Sequence, residues 1–207
     1  MKTKTFVLLM VLAILFVFLG FVGYKYYGKQ LINPGVEGLS KYHIAIIYCS
    51  HNDNMKDIVN IIESKLKADV YELKTAVPYP ADNEEFQKRI KKENEDVSKV
   101  VLDNKLIDIN KYGLIVIGTP VIQGKPCPSM QKFLNDNESR LKNKPVASIV
   151  KYDENVGARD TMEYLYYKLY EASAKPNLPT YATDKEQLQK EIELWFNEMQ
   201  FTRDELK

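Results

Sequence analysis

Histidine and cysteine are scarce: 207 residues hold two of each. His43 and His51 show neither a triad partner nor metal-ligand spacing, so a hydrolase or metalloenzyme reading has little to stand on. Cys49 and Cys127 also lack the paired spacing of a zinc site. Charge of one sign is not in excess. With 29 basic and 28 acidic residues and no basic block, the chain carries no electrostatic footprint for nucleic acid. There is no Gly-x-Gly-x-x-Gly and no Gly-Lys-Ser/Thr, which removes the dinucleotide fingerprint and the Walker loop. Internal repeats and low-complexity stretches are missing as well.

What is present begins with an apolar run. Residues 6–23 (FVLLMVLAILFVFLGFVG) are 18 uncharged positions. That length just reaches the minimum for a hydrocarbon core about 30 Å thick. A cleaved signal peptide would share the positive start at Lys2 and Lys4. Its apolar region is shorter, however, and a small-x-small cleavage site would follow. Here Tyr24, Lys25, Tyr26 and Tyr27 come next, with Lys29, a composition suited to a membrane interface. The run predicts one uncleaved transmembrane helix within residues 1–29, a lipid bilayer as partner and a single-pass membrane location. A signal-anchor start favours the extracytosolic side for the remainder. Residues 30–40, with Asn33-Pro34-Gly35 and Gly38, read as a linker. Residues 41–207 are long enough for one domain with a substantial core.

Two periods alternate through that domain. Residues 43–48 (HIAIIY) and 114–118 (LIVIG) are short β-branched runs, as expected of strands buried on both faces. Residues 69–73, 145–150 and 178–181 supply three more strands, the last with a proline that suits a sheet edge. Helical faces are predicted over 54–66, 83 to about 99, 129–134, 158–171 and the C-terminal stretch carrying Leu188, Ile192, Trp195, Phe196 and Met199. Thr183-Asp184-Lys185-Glu186 opens that last helix as a capping box. Five strands alternating with five helices imply an α/β fold, a doubly wound five-stranded parallel sheet, because parallel strands need helical crossovers. In such sheets ligands sit beyond the C-terminal strand ends.

The stretch I-x-Y-x-S-x-N-x-N over residues 46–54 resembles the flavodoxin phosphate loop that follows a first strand. Residues 117–126 (IGTPVIQGKP) are similar to that family's I-G-x-P-x-W-W-G-x-x-P, and residues 72–86 (ELKTAVPYPADNEEF) resemble a segment of one flavodoxin subgroup. The resemblance covers most of residues 42–200 in unbroken order. It implies strand order 2-1-3-4-5, a bound FMN at the β1/β3 switch point, electron transfer, and a redox partner protein or small electron acceptor. Carried over position by position, Ser50, Asn52, Asn54 and Met55 take the phosphate loop, where backbone N–H groups and hydroxyls face a dianion. Thr119, Pro120, Ile122 and Gly124 take the second loop. Tyr152 and Gly157, in the third loop, complete the cofactor set, with Tyr152 as a platform for the flavin.

Departures from the family fall on the same ligand. Met55 lacks a hydroxyl, and Asp53 brings a carboxylate where the family has glycine. Ile122-Gln123 replaces a pair of aromatics, forgoing about 0.5–1.5 kcal/mol of stacking. Asp153 and Glu154 make the third loop acidic, which would give a bound flavin a low reduction potential. Two further readings therefore stand beside the electron carrier: an interaction module of the same fold without flavin, and an FMN-dependent quinone-type reductase. The order of strands also brings Cys49 and Cys127 toward one sheet end. Two buried, unlinked thiols are the plainer reading, and a disulfide across the site entrance is the alternative.

Overall fold

The computed structural model describes residues 13–20, 31–51, 55–103, 107–152, 157–170, 172–180, 185–202 and 205. They fall into two units. In the smaller, Met1–Ile32 with Gln200–Lys207, residues 13–20 are helical, and Ile32 and Phe201 exchange both backbone hydrogen bonds at 2.8 Å as an isolated antiparallel bridge. The expected transmembrane helix, with its lipid-bilayer partner and membrane location, does not stand: among the described residues no helix is long and apolar enough to cross a membrane. Residues 13–20 at about 1.5 Å rise cover less than half of a hydrocarbon core. The rest of the apolar run lies outside the described residues.

The larger unit, Asn33–Met199, is the α/β body. After a short helix at Gly35–Leu39, strands β1 (Ile44–Tyr48), β2 (Asp69–Glu72), β3 (Leu114–Ile122), β5 (Pro145–Lys151) and β6 (Ser173–Thr180) are all parallel, in the order β2-β1-β3-β5-β6. This is the 2-1-3-4-5 order of a flavodoxin-like sheet. Every residue of β1 and of β5 is buried, as befits strands covered on both faces. Residues Ile46, Val116 and Ala147 sit side by side across β1, β3 and β5 and define the register at the centre.

The sheet has a sixth strand. β3 does not stop at the expected Gly118 but runs to Ile122, turns at Gln123-Gly124 and returns as β4 (Lys125–Pro126), pairing Val121 with Pro126 and Ile122 with Lys125. Both turn residues have positive φ, +52° and +74°, which is the backbone of a two-residue hairpin whose twist matches its strands. The second loop of the sequence reading is thus a rigid hairpin.

Five helices cover the sheet: α1 (Lys56–Leu66), α2 (Asn83–Glu95), α3 (Pro128–Leu141), α4 (Ala158–Lys168) and α5 (Lys185–Glu198). α1 and α5 contact one another and lie over β1 and β6 respectively; α2, α3 and α4 contact in sequence on the other layer. There Ala45, Ile47, Ile115 and Ile117 of the central strands join Met130, Phe133, Leu134 and Leu165 of α3 and α4 in one apolar cluster. Element ends differ from expectation for local reasons. α2 stops at Glu95 because the Asp96 carboxylate accepts from the Ser98 N–H at 3.2 Å and starts a separate 3-10 turn. α3 is 14 residues long, well past the expected Leu134, since Asn137 and Leu141 continue its buried stripe. β6 begins at Ser173, earlier than residue 178, and Thr183 and Asp184 of the expected capping box lie outside the described residues.

The unexpected second half of α3 is directly testable. Leu141→Ala, at a site 2% exposed, is expected to lower unfolding stability in urea by about 2–5 kcal/mol. Glu138→Ala, at an exposed side chain whose pair with Lys168 spans 3.9 Å, should change it by about 0.5 kcal/mol or less.

Candidate functional site

The site is assembled where β1, β2 and β3 end. At the close of β1 the chain passes Cys49, Ser50 and His51, then re-enters the described residues at Met55, the residue before α1. The Met55 N–H donates to Ser50 Oγ at 3.3 Å, so the serine hydroxyl already sits at the N-terminus of α1. The Met55 side chain turns inward and is fully buried. It lies over Gly118, where an added Cβ would come within 2.9 Å of Met55 Cε and 3.0 Å of Tyr48 Cβ. Asn52, Asp53 and Asn54 lie outside the described residues.

Thr119, the next residue of β3, is buried. Its hydroxyl donates to the Pro120 carbonyl at 3.0 Å and accepts from the Cys127 N–H at 3.1 Å, tying the base of the hairpin to the start of α3. Cys49 and Cys127 are joined in a disulfide, with a Cα separation of 6.7 Å, inside the range such a link permits. The alternative left open by the sequence is therefore the one realised.

A cavity of about 300 Å³ opens beside this link, lined among others by Cys49, Ser50, Ile122, Cys127 and Ser129. Its far wall is aromatic. The His51 ring stacks on Phe86 with centroids 3.8 Å apart and planes 10° from parallel, and Tyr79 meets Phe86 edge-on at 5.5 Å. Arg89 fixes that wall from behind: it lies 4.4 Å from the Tyr79 ring centroid, pairs with Glu93 at 2.7 Å, and donates to the carbonyls of Val77 and Pro78 at 2.9 and 2.8 Å. The Tyr79 hydroxyl donates to Glu93 at 2.7 Å. Burial and that carboxylate push its pKa up, so it stays protonated. Partial burial pulls the His51 pKa below the usual histidine value, which favours a neutral ring in the stack.

Of the residues singled out in the sequence, Ser50 and Ile122 meet in this cavity. Met55, Thr119, Pro120, Gly124, Tyr152 and Gly157 are not in its lining. Tyr152 follows β5 and donates its backbone N–H to the Thr180 carbonyl at 3.0 Å. Gly157, at φ +81°, lies against the hairpin: a Cβ there would stand 2.5 Å from Gly124 Cα. The acidic Asp153 and Glu154 lie outside the described residues. His51, Tyr79 and Phe86 were not singled out as site residues. The only sequence signal for the latter two was the residue 72–86 segment that resembles a flavodoxin subgroup.

No protein family and no curated protein matches the chain. Solved structures do. A protein from Bacteroides eggerthii assigned as a flavoprotein aligns with TM-score 0.62 at 17% identity, over 74% of this chain and 97% of its own. A flavoprotein from Lactobacillus acidophilus in complex with FMN aligns with TM-score 0.59 at 21% identity, over 74% and 98%. A Bacteroides uniformis protein assigned in the same way gives 0.61 at 16%, over 72% and 97%. At these identities the likeness establishes the fold, an α/β flavodoxin-like one.

The aromatic wall makes a prediction about acid. Because the folded His51 pKa lies below its unfolded value near 6.5, the unfolded chain binds the proton first, and stability falls as pH drops below about 6.5. His51→Gln is expected to flatten that part of the stability curve between about pH 7 and 5.5, measured by urea unfolding. Phe86→Ala should move the His51 titration, followed by NMR, upward toward its ordinary value.

Proposed function

We propose that the chain is a flavodoxin-like FMN-binding protein that acts in electron transfer, with the cofactor at the C-terminal ends of β1 and β3. The observation that carries this reading is the cavity in which Ser50 of the first loop and Ile122 of the second come together at the topological switch point. The residues present fit the group. Its volume falls at the lower end of the range for small-molecule sites, about 300–1,000 Å³. The start of α1, with the Ser50 hydroxyl at its head, suits a phosphate, since the positive end of the helix dipole favours an anion there. Ile122 and the His51–Phe86 stack offer apolar, partly flat surfaces to a planar ring system.

Bound FMN would supply the redox chemistry. The chain's own residues would hold its phosphate at Ser50, exclude water with Ile122 and Phe86, and keep the neutral His51 ring from adding charge beside it. Electrons would pass to a redox partner protein or a small acceptor. One observation favours a second reading, a flavin-free interaction module. The backbones of Gly124 and Gly157 are in contact, so the second and third loops leave no gap between them at that point.

Purification of the full chain separates the two. The first reading expects a yellow protein that releases FMN on heating, or an FMN-free protein that quenches FMN fluorescence on titration. Ser50→Ala, with circular dichroism unchanged, should weaken FMN binding by about tenfold or more, the worth of one hydrogen bond to a charged oxygen. A colourless protein that takes up no FMN removes the electron-carrier reading and leaves the module. Turnover of quinones with NAD(P)H by a yellow protein would assign a reductase in place of a carrier.

A further inference from the structure

The Cys49–Cys127 disulfide lies in the wall of the cavity. Both cysteines are buried, 2% and 4% exposed, but both line the space, and so does Ser129, so the cavity is the route by which a reagent would reach them. Each sulfur has a hydroxyl beside it: Thr119 Oγ1 is 3.4 Å from Cys49 Sγ, and Ser129 Oγ is 3.3 Å from Cys127 Sγ. The two cysteines also differ in setting. Cys49 follows a strand, whereas Cys127 is the N-cap residue of the 14-residue α3, and its side chain makes no capping hydrogen bond. A helix N-terminus stabilises a thiolate through its positive end, and a hydroxyl that can donate to sulfur adds to that. Other titratable side chains of the same lining are His51, Glu72, Lys74, Tyr79 and Asp103, with Lys74 paired to Glu72 at 3.1 Å.

We infer that Cys49 and Cys127 form a thiol–disulfide exchange site, with the cavity as the entrance for a small dithiol. A thiolate of the dithiol attacks Cys49 Sγ and forms a mixed disulfide. The Cys49–Cys127 bond breaks and its electron pair leaves on Cys127 Sγ, where the start of α3 and the Ser129 hydroxyl receive the charge. The second thiol of the reductant, deprotonated, attacks the reductant's own sulfur in the mixed disulfide. The reductant closes into a cyclic disulfide, and Cys49 leaves as a thiolate that takes a proton. The dithiol is oxidised by two electrons and the protein disulfide is reduced by two. Its two protons go to Cys49 and to Cys127 or solvent. Run backward, Cys127 is the thiolate held ready at the helix end. FMN and the dithiol would occupy the same cavity, so the exchange belongs to the flavin-free chain.

The test therefore uses the full chain freed of flavin. Wild-type protein is equilibrated against dithiothreitol, with native circular dichroism checked throughout, then alkylated and weighed. Two alkylations per chain are expected without denaturant. In Cys49→Ser, the pH midpoint for alkylation of Cys127 by iodoacetamide should lie below the ordinary thiol value of about 8.5. Ser129→Ala in that background should raise it, whereas the Cys49 midpoint in Cys127→Ser should not fall below the ordinary value. A bond that opens only when denaturant unfolds the chain, or a Cys127 midpoint at or above about 8.5, overturns the proposal and leaves a structural staple. Neither result bears on whether FMN is bound.

Discussion

The parallel pairing of β1 with β3 is the constraint from which the site follows. Ile44 to Tyr48 run in register with Leu114 to Gly118, so β1 ends level with Gly118 while β3 runs on to Ile122. From that seam β2 lies to one side and β5 to the other, and the chain must leave the sheet in opposite directions. The divergence opens the crevice that doubly wound sheets use for ligands. The seam also sets its floor. Gly118, opposite Tyr48, leaves room for the buried Met55 side chain, and Cys49 is carried to within disulfide reach of Cys127.

The fold was legible because its signals are periodic. β1 and the first half of β3, Leu114 to Ile117, are apolar runs rich in β-branched residues with no polar interruption, and α1 and α5 carry dense apolar stripes. α3 was read short because Asp136, Glu138 and Arg140 mask a stripe whose members, Phe133, Asn137 and Leu141, include an asparagine. β4 escaped notice since two residues give no period, and Gln123 is not a residue that signals a positive φ. The apolar run at residues 6–23 met a length criterion, yet its described part is only the helix at 13–20.

The site was legible in outline only. Ser50 and Ile122 were placed by analogy with loops that follow strands, and such loops keep their position when their residues change. The aromatic wall was harder to foresee. His51 belongs to the first loop and Phe86 to α2, and no local pattern brings residues 35 positions apart face to face. Beside them, the Arg89 guanidinium binds the Val77 and Pro78 carbonyls and so ties the β2–α2 connection, with Tyr79, to α2. A loop that reads as a proline break in one dimension is a pinned wall in three.

The two outer strands carry a consequence for life at high concentration. β2 is only four residues long, and β6, eight residues long, contains Pro176 and Pro179, which have no N–H to offer a further strand. A parallel sheet rich in valine and isoleucine would otherwise present ready templates at both margins. Here one margin is too short and the other too poor in donors for a neighbouring chain to add on, so the hydrophobic centre can be strongly β-forming without turning the molecule into a seed for fibrils.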